Sequence, residues 1–567
     1  MIRNIELVAA LLAVAAAPAL ADAGDPPSRV ARLNYESGTV SFRPGTVEEW
    51  TAASLNYPLT TGDHLWADAG AQVEMHIGST AVRMGSQTAL AILNLDDQMA
   101  QLSLTQGVLN VHIRYLGNQE AFEVDTPNVA VSLVEPGDYR IDVDGDNNIT
   151  TVTVRGGQAQ VNGGGAAFSV PAGASARISG VDTVSQEMGS APPPDQFDGW
   201  CQMRDRREDQ SQSVRYVSRG TIGYEDLDQY GVWRQVPPYG WVWTPTGMMA
   251  GWAPYRYGHW VWVDPWGWTW IDDAPWGFAP FHYGRWAYAG AGWVWVPGAM
   301  AVRPVYAPAL VAFVGVGDVG MAAWFPLGPG EVYRPAYSVS AVYLRQVNIA
   351  HVTNVMVINN AVNVRYVNQG VAGAVTVVPH DAFVAARPVA RAMVVVPQRE
   401  IVQAQVVGST APIAPVRESV LARPAGAAAV RTPPARVADR AVFAKTAPPP
   451  PPVSFAARQQ ALQANGGRPL DPAKVESLRA TDHAARPAVV RSPAAGVARP
   501  ERPATAPARN DRPPAAQTPA ANPAARPAEQ PRAAPPAQAQ PGKAQEQKTE
   551  KKAVKKTEKK DERKDIR

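Results

Sequence analysis

Residues 257–270 read YGHWVWVDPWGWTW and contain five of the seventeen tryptophans of this 567-residue chain. In Trp260-Val261-Trp262 and again in Trp268-Thr269-Trp270, tryptophan occupies every second position, so both rings of each pair lie on one face of a β-strand. The Asp-Pro-Trp-Gly segment between the pairs is typical of a turn. The stretch therefore predicts a short aromatic β-hairpin.

The same pattern occurs three times between residues 230 and 295. Tyr-Gly-x-Trp begins at residues 230, 257 and 283, and Gly-Trp-x-Trp begins at residues 240, 267 and 292. A period near 26 residues indicates a repeated supersecondary unit. We therefore expect three hairpins in a region that holds thirteen of the seventeen tryptophans.

Paired indole rings present flat apolar faces with a polar edge, which suits them to binding sugars or aromatic partners. The predicted aromatic binding surface comprises Trp241, Trp243, Trp260, Trp262, Trp268, Trp270, Trp293 and Trp295. The alternative is that these rings fill the core of hairpins too thin to be filled by Val or Leu. The pattern leaves open which rings are exposed.

Residues 30–180 read as one strand after another. Apolar and polar residues alternate over 73–77, 141–143 and 152–154, which is the period of half-buried antiparallel strands. Turn residues, including Pro136-Gly137-Asp138, separate these strands. Together with the hairpin repeat, the pattern predicts an all-β chain whose first domain is an antiparallel sandwich or roll.

Composition divides the chain into five segments. We expect a signal peptide at 1–21, a β domain at 30–180, a linker at 181–195, a Trp-rich β-hairpin region at 196–384 and a disordered tail at 385–567. The hairpin region opens with a predicted short helix, where Phe197, Trp200, Cys201 and Met203 fall at helical spacing. Cys201 is the only cysteine, which excludes a disulfide within the chain, and we expect it to pack as a small hydrophobe.

The predicted tail carries a charge opposite to that of the rest of the chain. Residues 1–384 contain 21 Arg, no Lys and 35 acidic residues, whereas residues 385–567 contain 32 basic and 15 acidic residues. The tail is rich in Ala, Pro and Arg, and such a composition buries too little apolar surface to offset its ordering entropy. It serves as a solvated spacer or binds an anionic surface, and nucleic acid is a disfavoured partner because aromatic residues do not alternate with the basic ones.

The N-terminus predicts export. Arg3 precedes an uncharged apolar stretch at 7–17, and Ala19-Leu20-Ala21 follows as a small-x-small cleavage pattern. These features are typical of a cleaved signal peptide. With no second apolar run of about twenty residues, we expect a periplasmic or secreted protein with no transmembrane segment in the mature chain.

Motifs for catalysis, cofactors and metals are absent from the sequence. It contains no Gly-x-Ser-x-Gly, no His-Glu-x-x-His and no phosphate-binding Gly-rich loop with Lys. The eight histidines are scattered singly. We therefore expect no catalytic residue, no cofactor and no metal site.

Several turns and strand edges within residues 54–161 also form a recognisable set. They are Asn56-Tyr57-Pro58-Leu59, Gly62-Asp63, residues 102–107, Val124-Asp125-Thr126-Pro127, Gly137-Asp138-Tyr139-Arg140 and Val154-Arg155-Gly156-Gly157. On these residues the segment resembles a FecR-type periplasmic domain, which implies a β module in the cell envelope. FecR of iron-citrate signalling carries a sigma-regulating segment and a membrane helix before this domain. This chain begins instead with a predicted cleavable signal, so the resemblance does not extend to that mechanism.

A second resemblance covers residues 197–345. Gly223-Tyr224-Glu225-Asp226-Leu227, Tyr230-Gly231-Val232-Trp233 and residues 324–331 are similar to a family of uncharacterised exported bacterial proteins with Trp/Gly/Tyr repeats. In such proteins this region often follows a FecR-like domain.

These observations predict a non-enzymatic, exported interaction protein of the cell envelope. Its β modules would bind an envelope protein or cell-wall glycan, and its tail would reach an anionic surface. A FecR-like regulatory protein that relays a signal through a membrane partner is the alternative. A weaker alternative is a wall-glycan enzyme that uses Glu225, Asp226, Asp272 and Asp273.

Overall fold

The computed structural model describes residues 24–290, 292–300, 303–315, 320–352, 358, 366–422, 430–482 and 490–491. The predicted signal peptide and residues 492–567 of the predicted tail lie outside the described residues. Strands dominate the described part, and almost all of them pair antiparallel, so the prediction of an all-β chain is confirmed. None of the helices in these ranges is both long and apolar enough to cross a membrane.

Seventeen strands, β1 to β17, form the N-terminal module. Their bounds are Ala31–Ser37, Val40–Arg43, Thr51–Ala52, Pro58–Leu59, His64–Ala67, Gln72–Ile77, Thr80–Met84, Thr88–Leu95, Met99–Ile113, Ala121–Asp125, Ala130–Leu133, Gly137–Asp144, Ile149–Gly156, Gln158–Gly163, Ala166–Pro171, Ala174–Ser179 and Ser185–Ser190. Only β9 and β10 pair in parallel within this module. The apolar side chains of the alternating strands, such as Val73, Met75 and Ile141, are buried in one core.

The longest strand, β9, belongs to two sheets. Its residues up to Gln106 pair with β8 and β10, and its residues from Gly107 onward pair with β7 and β12. Gly107 lies at φ +94°, and a Cβ at this position would lie 2.3 Å from Oγ1 of Thr88. Only glycine fits here, and the strand can therefore pass from one sheet to the other, as in the predicted sandwich or roll.

The predicted linker is shorter than expected. Strand β17 pairs with β16 along its whole length, so regular structure extends to Ser190. Helix α1, Gln196–Asp209, begins shortly afterwards, where the sequence predicts a helix. Asp195 and Asp198 form a reciprocal capping box at its N-terminus, and Cys201 is buried along it.

Strand pairs occupy the three positions that the Trp repeat predicts. Strands β18 to β27 are Gly231–Val236, Gly240–Pro245, Gly258–Val263, Gly267–Asp272, Arg285–Ala289, Gly292–Val296, Val311–Val314, Met321–Pro326, Thr376–Pro379 and Val406–Gly408. The pairs β18–β19, β20–β21 and β22–β23 are the first, second and third hairpins. The first and third hairpins share a four-stranded sheet, and the second pairs only within itself among the described strands.

Short helices connect and cover these strands. Helices α2 to α8 are Leu227–Tyr230, Ala279–His282, Ala341–Asn348, His380–Val384, Val389–Ala392, Gln398–Gln403 and Arg417–Leu421. Three 3₁₀ turns lie at Ser213–Arg215, Tyr224–Asp226 and Asn368–Gly370.

The described residues between 385 and 482 differ from the expected disordered tail. They contain helices α6 to α11, of which α9 to α11 are Ala435–Ala438, Phe455–Ala464 and Pro472–Arg479, and the short strands β28 and β29 lie at Val442–Phe443 and Val490–Arg491. The segment has few aromatic residues but buries Phe443, Phe455 and Leu462. Because these side chains pack against the β modules, the segment needs no hydrophobic core of its own.

One carboxylate of the N-terminal module holds this segment by its backbone. Glu123, buried on β10, accepts hydrogen bonds from the backbone N–H groups of Lys445 and Thr446, each at 3.0 Å, and from the Thr446 hydroxyl at 2.9 Å. The neighbouring Gln101 donates from Nε2 to the carbonyl of Thr446 at 2.7 Å. Composition does not reveal such contacts.

Candidate functional site

A buried group of charged side chains joins the N-terminal module to the start of the hairpin region. We call it the junction network, and its members are Arg32, Glu74, His76, Arg83, Arg114, Arg204, Asp205, Glu208, Glu225 and Asp226. The alternation in β1, β6 and β7 places Arg32, His76 and Arg83 opposite the apolar core. Helix α1 and the Tyr224–Asp226 turn cover this polar face, so that nearly every member is buried.

Opposite charges in the junction network lie in direct contact. Glu74 accepts hydrogen bonds at 2.6 Å from Nε of both Arg83 and Arg204. Arg32 donates from Nη1 to Oδ2 of Asp226 at 2.7 Å. Because a buried charge is costly unless it is paired, these contacts fix how α1 and the Tyr224–Asp226 turn lie on the sheet.

His76 lies among three carboxylates. Its Nδ1 is 3.1 Å from Oε1 of Glu225, and its Nε2 is 3.4 Å from Oε1 of Glu74 and 3.6 Å from Oε2 of Glu208. Burial disfavours the imidazolium, but Glu208 and Glu225 outweigh it and raise the pKa of His76 to about 10. Burial likewise opposes ionisation of Glu225, yet His76 and Arg32 lower its pKa to about 2. Both groups are therefore charged at neutral pH.

The four acids of the enzyme alternative do not form one site. Glu225 and Asp226 belong to the junction network, whereas buried Asp272 accepts hydrogen bonds from Nε1 of Trp270 and the backbone N–H of Ala274. Asp273 is exposed on its side chain. Among the described residues no group of three or more His, Cys, Asp or Glu is arranged to hold a metal ion.

The predicted aromatic surface needs a correction, because seven of its eight tryptophans are buried. These are Trp243, Trp260, Trp262, Trp268, Trp270, Trp293 and Trp295. Several donate their indole N–H to a carbonyl, as Trp243 does to Leu227, Trp268 to Ile413 and Trp295 to Tyr283, each at 2.9 Å. A satisfied, buried indole N–H is typical of a structural tryptophan.

Distant parts of the chain cover the second hairpin. The ring of Trp268 lies 4.4 Å from that of Phe383, centroid to centroid, in an edge-to-face contact. Arg458 of α10 forms an ion pair with Asp264 in the turn of the hairpin, and a Cβ at Gly267 would lie 2.8 Å from Cγ of Pro469. Arg458 and Pro469, which belong to the segment predicted to be disordered, thus cover the turn of the second hairpin.

Trp241, in the first hairpin, is the one candidate ring with a large exposed surface, at 44%. Strand β19 pairs with β23 only at Trp243 and Trp295, so Trp241 lies beyond this contact, opposite Gln235 near the turn of the hairpin. In the part of the chain that the structure describes, no acceptor bonds its indole N–H. The ring face and the N–H are both available to a ligand.

Two further rings join Trp241 to form what we call the aromatic cluster: Tyr216, Trp233 and Trp241. Tyr216 stacks on Trp233 at a centroid distance of 4.4 Å with an interplanar angle of 25°, and it lies 4.8 Å from Trp241. The Trp233 indole donates to Oγ of Ser213 at 2.9 Å, and that hydroxyl donates to Asp228 at 2.5 Å. The cluster is therefore held rigidly from behind.

This arrangement is suited to stacking on a flat, partly apolar ligand. Tyr216 and Trp233 are half-buried, and the polar side chains of Gln212, Arg215 and Gln235 nearby are exposed. An oriented ring with a polar rim binds a sugar ring or an aromatic side chain with little loss of side-chain entropy. The first repeat pointed to Trp233, but no sequence signal identified Tyr216, which lies outside the repeat.

Comparison with known proteins supplies one family match. Residues 224–331, less than half of the chain, match the model of a family of unknown function, DUF6600. No curated protein matches the chain.

Two solved structures of a candidate anti-sigma factor from Parabacteroides distasonis are similar in part. Their sequence identities are 12% and 11%, they cover 24% and 32% of this chain and 64% and 99% of their own, and both TM-scores are 0.22. The chain thus spans less than two thirds of the first of them, and likenesses this slight carry no argument. The matched family extends from the Tyr224–Asp226 turn through all three hairpins to Glu331, and its function is unknown.

Proposed function

We propose that this protein is a non-enzymatic, exported interaction protein of the cell envelope, and that it binds a glycan through the aromatic cluster. The observation that carries the proposal is the exposed ring of Trp241 beside the stacked pair of Tyr216 and Trp233. Sugars present faces of C–H groups edged by hydroxyls, and such faces complement an indole with a polar rim. A flat protein side chain is the other ligand that the cluster would accept.

The junction network supports this proposal because it helps to hold the aromatic cluster rigid. The first hairpin begins at Gly231, five residues after Asp226, and Asp226 is fixed to the N-terminal module through Arg32. A rigid aromatic surface loses less entropy on binding than a mobile one. The basic residues after 491 would add an electrostatic attraction to an anionic surface, which salt would weaken.

The proposal is tested by cosedimentation of the full chain with insoluble cell-wall sacculi across a salt series. We expect Trp241→Ala to lower the fraction that pellets at high salt about tenfold, since stacking of one aromatic ring contributes about 1–1.5 kcal/mol. Tyr288→Ala is the matched control, because Tyr288 is equally exposed, at 46%, on the sheet that the first hairpin shares. Equal pelleting of both variants and the parent chain would contradict the proposal.

A second candidate function is regulatory, with the FecR-like module relaying an envelope signal through a membrane partner. The junction network favours it, because a change at either module would reach the other through buried, paired charges rather than a flexible linker. Crosslinking of the full chain in intact cells is the test. Recovery of a membrane-embedded partner that is lost on Arg32→Met would support the relay, and recovery independent of that substitution would contradict it.

A further inference from the structure

A small cavity borders the aromatic cluster at Tyr216. Its volume is about 50 Å³, and Tyr216, Trp295, His282, Arg285 and Thr221 contribute to its lining. Tyr216 belongs to the cluster, and the Trp295 ring lies 6.1 Å from that of Trp233. The space suffices for roughly three or four water-sized groups, which is far less than a whole sugar ring occupies.

His282 lines the cavity and has an unused acceptor. Its side chain is fully buried, and Nδ1 lies 2.8 Å from the carbonyl oxygen of Ala307. Burial lowers the pKa of His282 to about 3, so the ring is neutral and Nδ1 carries the proton that this carbonyl accepts. Nε2 is then an acceptor, and it has no hydrogen-bond partner among the described residues. A buried acceptor without a donor is costly, so a hydroxyl or a water molecule in the cavity would be stabilised by donating to Nε2.

Arg285 lines the same cavity and has spare donors. The buried guanidinium donates from Nε to the carbonyl of Glu331 at 3.1 Å, from Nη1 to the carbonyl of Gly284 at 2.8 Å and from Nη2 to Oδ1 of Asn348 at 3.0 Å. These bonds use three of its five N–H groups. Within the described ranges no carboxylate lies close enough to form an ion pair with it.

We propose that the cavity takes the hydroxymethyl group of a sugar whose ring stacks on the aromatic cluster. A hydroxyl both donates and accepts, so it would donate to Nε2 of His282 and accept from Arg285. This inference rests on the proposed function and adds a specificity to it: sugars with a free hydroxymethyl group are preferred over their deoxy analogues. Removing that hydroxyl leaves two buried polar groups unpaired, which reduces affinity about tenfold or more.

The test measures binding of two probes to the full chain by calorimetry, the methyl β-glycoside of N-acetylglucosamine and its 6-deoxy analogue. Tighter binding of the parent sugar by tenfold or more supports the inference. We expect His282→Phe to abolish this preference while the 6-deoxy sugar binds as before. The comparison of the two sugars on the unaltered chain needs no variant, so it stands even if His282→Phe does not fold.

Two other outcomes separate this inference from the proposal on which it rests. Equal binding of both sugars, lost in each case on Trp241→Ala, would overturn the hydroxymethyl site and leave glycan binding by the cluster intact. Failure of both sugars to bind, together with pelleting on sacculi that ignores Trp241→Ala, would overturn both.

Discussion

The first and second hairpins have the same sequence pattern, yet the tip of the first is exposed and that of the second is buried. Trp241 and Trp268 occupy the same repeat position, and their exposed fractions are 44% and 3%. Trp268 is covered by Phe383 and bonds to Ile413, a residue 145 positions further along the chain. The motif therefore determines the hairpin, while distant sequence determines which copy remains open for binding.

Substituting the two equivalent rings should give the largest difference. Trp268→Ala removes a buried ring and a satisfied N–H, so we expect it to reduce the free energy of unfolding by about 3–5 kcal/mol. Trp241→Ala removes an exposed ring and should cost less than about 1 kcal/mol. Denaturant unfolding of both variants measures the contrast, and similar losses would show that the two tips are not differently buried.

A substitution at Glu225 should weaken the attachment of the first hairpin to the N-terminal module. Glu225→Gln leaves His76 and Arg32 buried with one charged partner fewer, which should cost roughly 3 kcal/mol. Because β18 follows this turn closely, amides of β18–β19 should lose hydrogen-exchange protection while those of β20–β21 keep theirs. The control, Glu187→Gln on an exposed strand, should change stability by less than about 0.5 kcal/mol. Equal loss of hydrogen-exchange protection in both hairpins would contradict the expectation that the junction network holds only the first one.

A substitution at Arg458 tests whether helix α10 shields the second hairpin from solvent. Arg458→Gln removes a largely buried charge that pairs with Asp264 in the hairpin turn, and we expect a loss of about 2 kcal/mol. The matched control is Arg436→Gln, whose partner Asp146 is exposed like Arg436 itself, with an expected loss below about 0.5 kcal/mol. If acrylamide quenches tryptophan fluorescence no better in the first variant than in the control, α10 is not what shields the hairpin.

The smallest effect per measured step is the pH dependence of the junction network, because it is spread over several pH units. His76 has a raised pKa of about 10 when folded, so its contribution is complete below its ordinary pKa near 6.5 and is lost as pH rises through 10. Glu225 has a lowered pKa of about 2, so its contribution is present above about 4.5 and is lost as pH falls through 2.

Stability measured by denaturant unfolding should therefore fall on the alkaline side by at most about 1.4 kcal/mol per pH unit for this one group. A His76→Gln variant should lack that alkaline decline. The same decline in the variant would assign it to other groups.

Local patterns predicted the elements well. Alternation over 73–77 and 141–143 predicted strands, and the Trp spacing predicted the positions of three hairpins, because both signals follow directly from strand geometry. The apolar side of the alternation also predicted the core around Val73 and Met75. These properties depend on neighbouring residues only.

Contacts between distant residues could not be predicted in the same way. Glu74 and His76 alternate with core residues and look solvent-facing, but α1 covers them with Arg204 and Glu208. The Ala/Pro/Arg-rich composition of residues after 385 suggested disorder, although Glu123 and the second hairpin hold that segment in place. Distant residues also reduced the candidate surface, since Phe383 and Ile413 cover Trp268 whereas Trp241 remains exposed.

Glycan binding at Trp241 is tested most directly by a ¹⁹F spectrum of the full chain labelled with 5-fluorotryptophan, recorded as soluble cell-wall glycan is added. Trp241→Phe and Trp268→Phe assign the two equivalent signals. We expect the Trp241 signal to shift with increasing glycan while the Trp268 signal stays in place. Glycan binding that leaves the Trp241 signal unchanged would contradict this expectation.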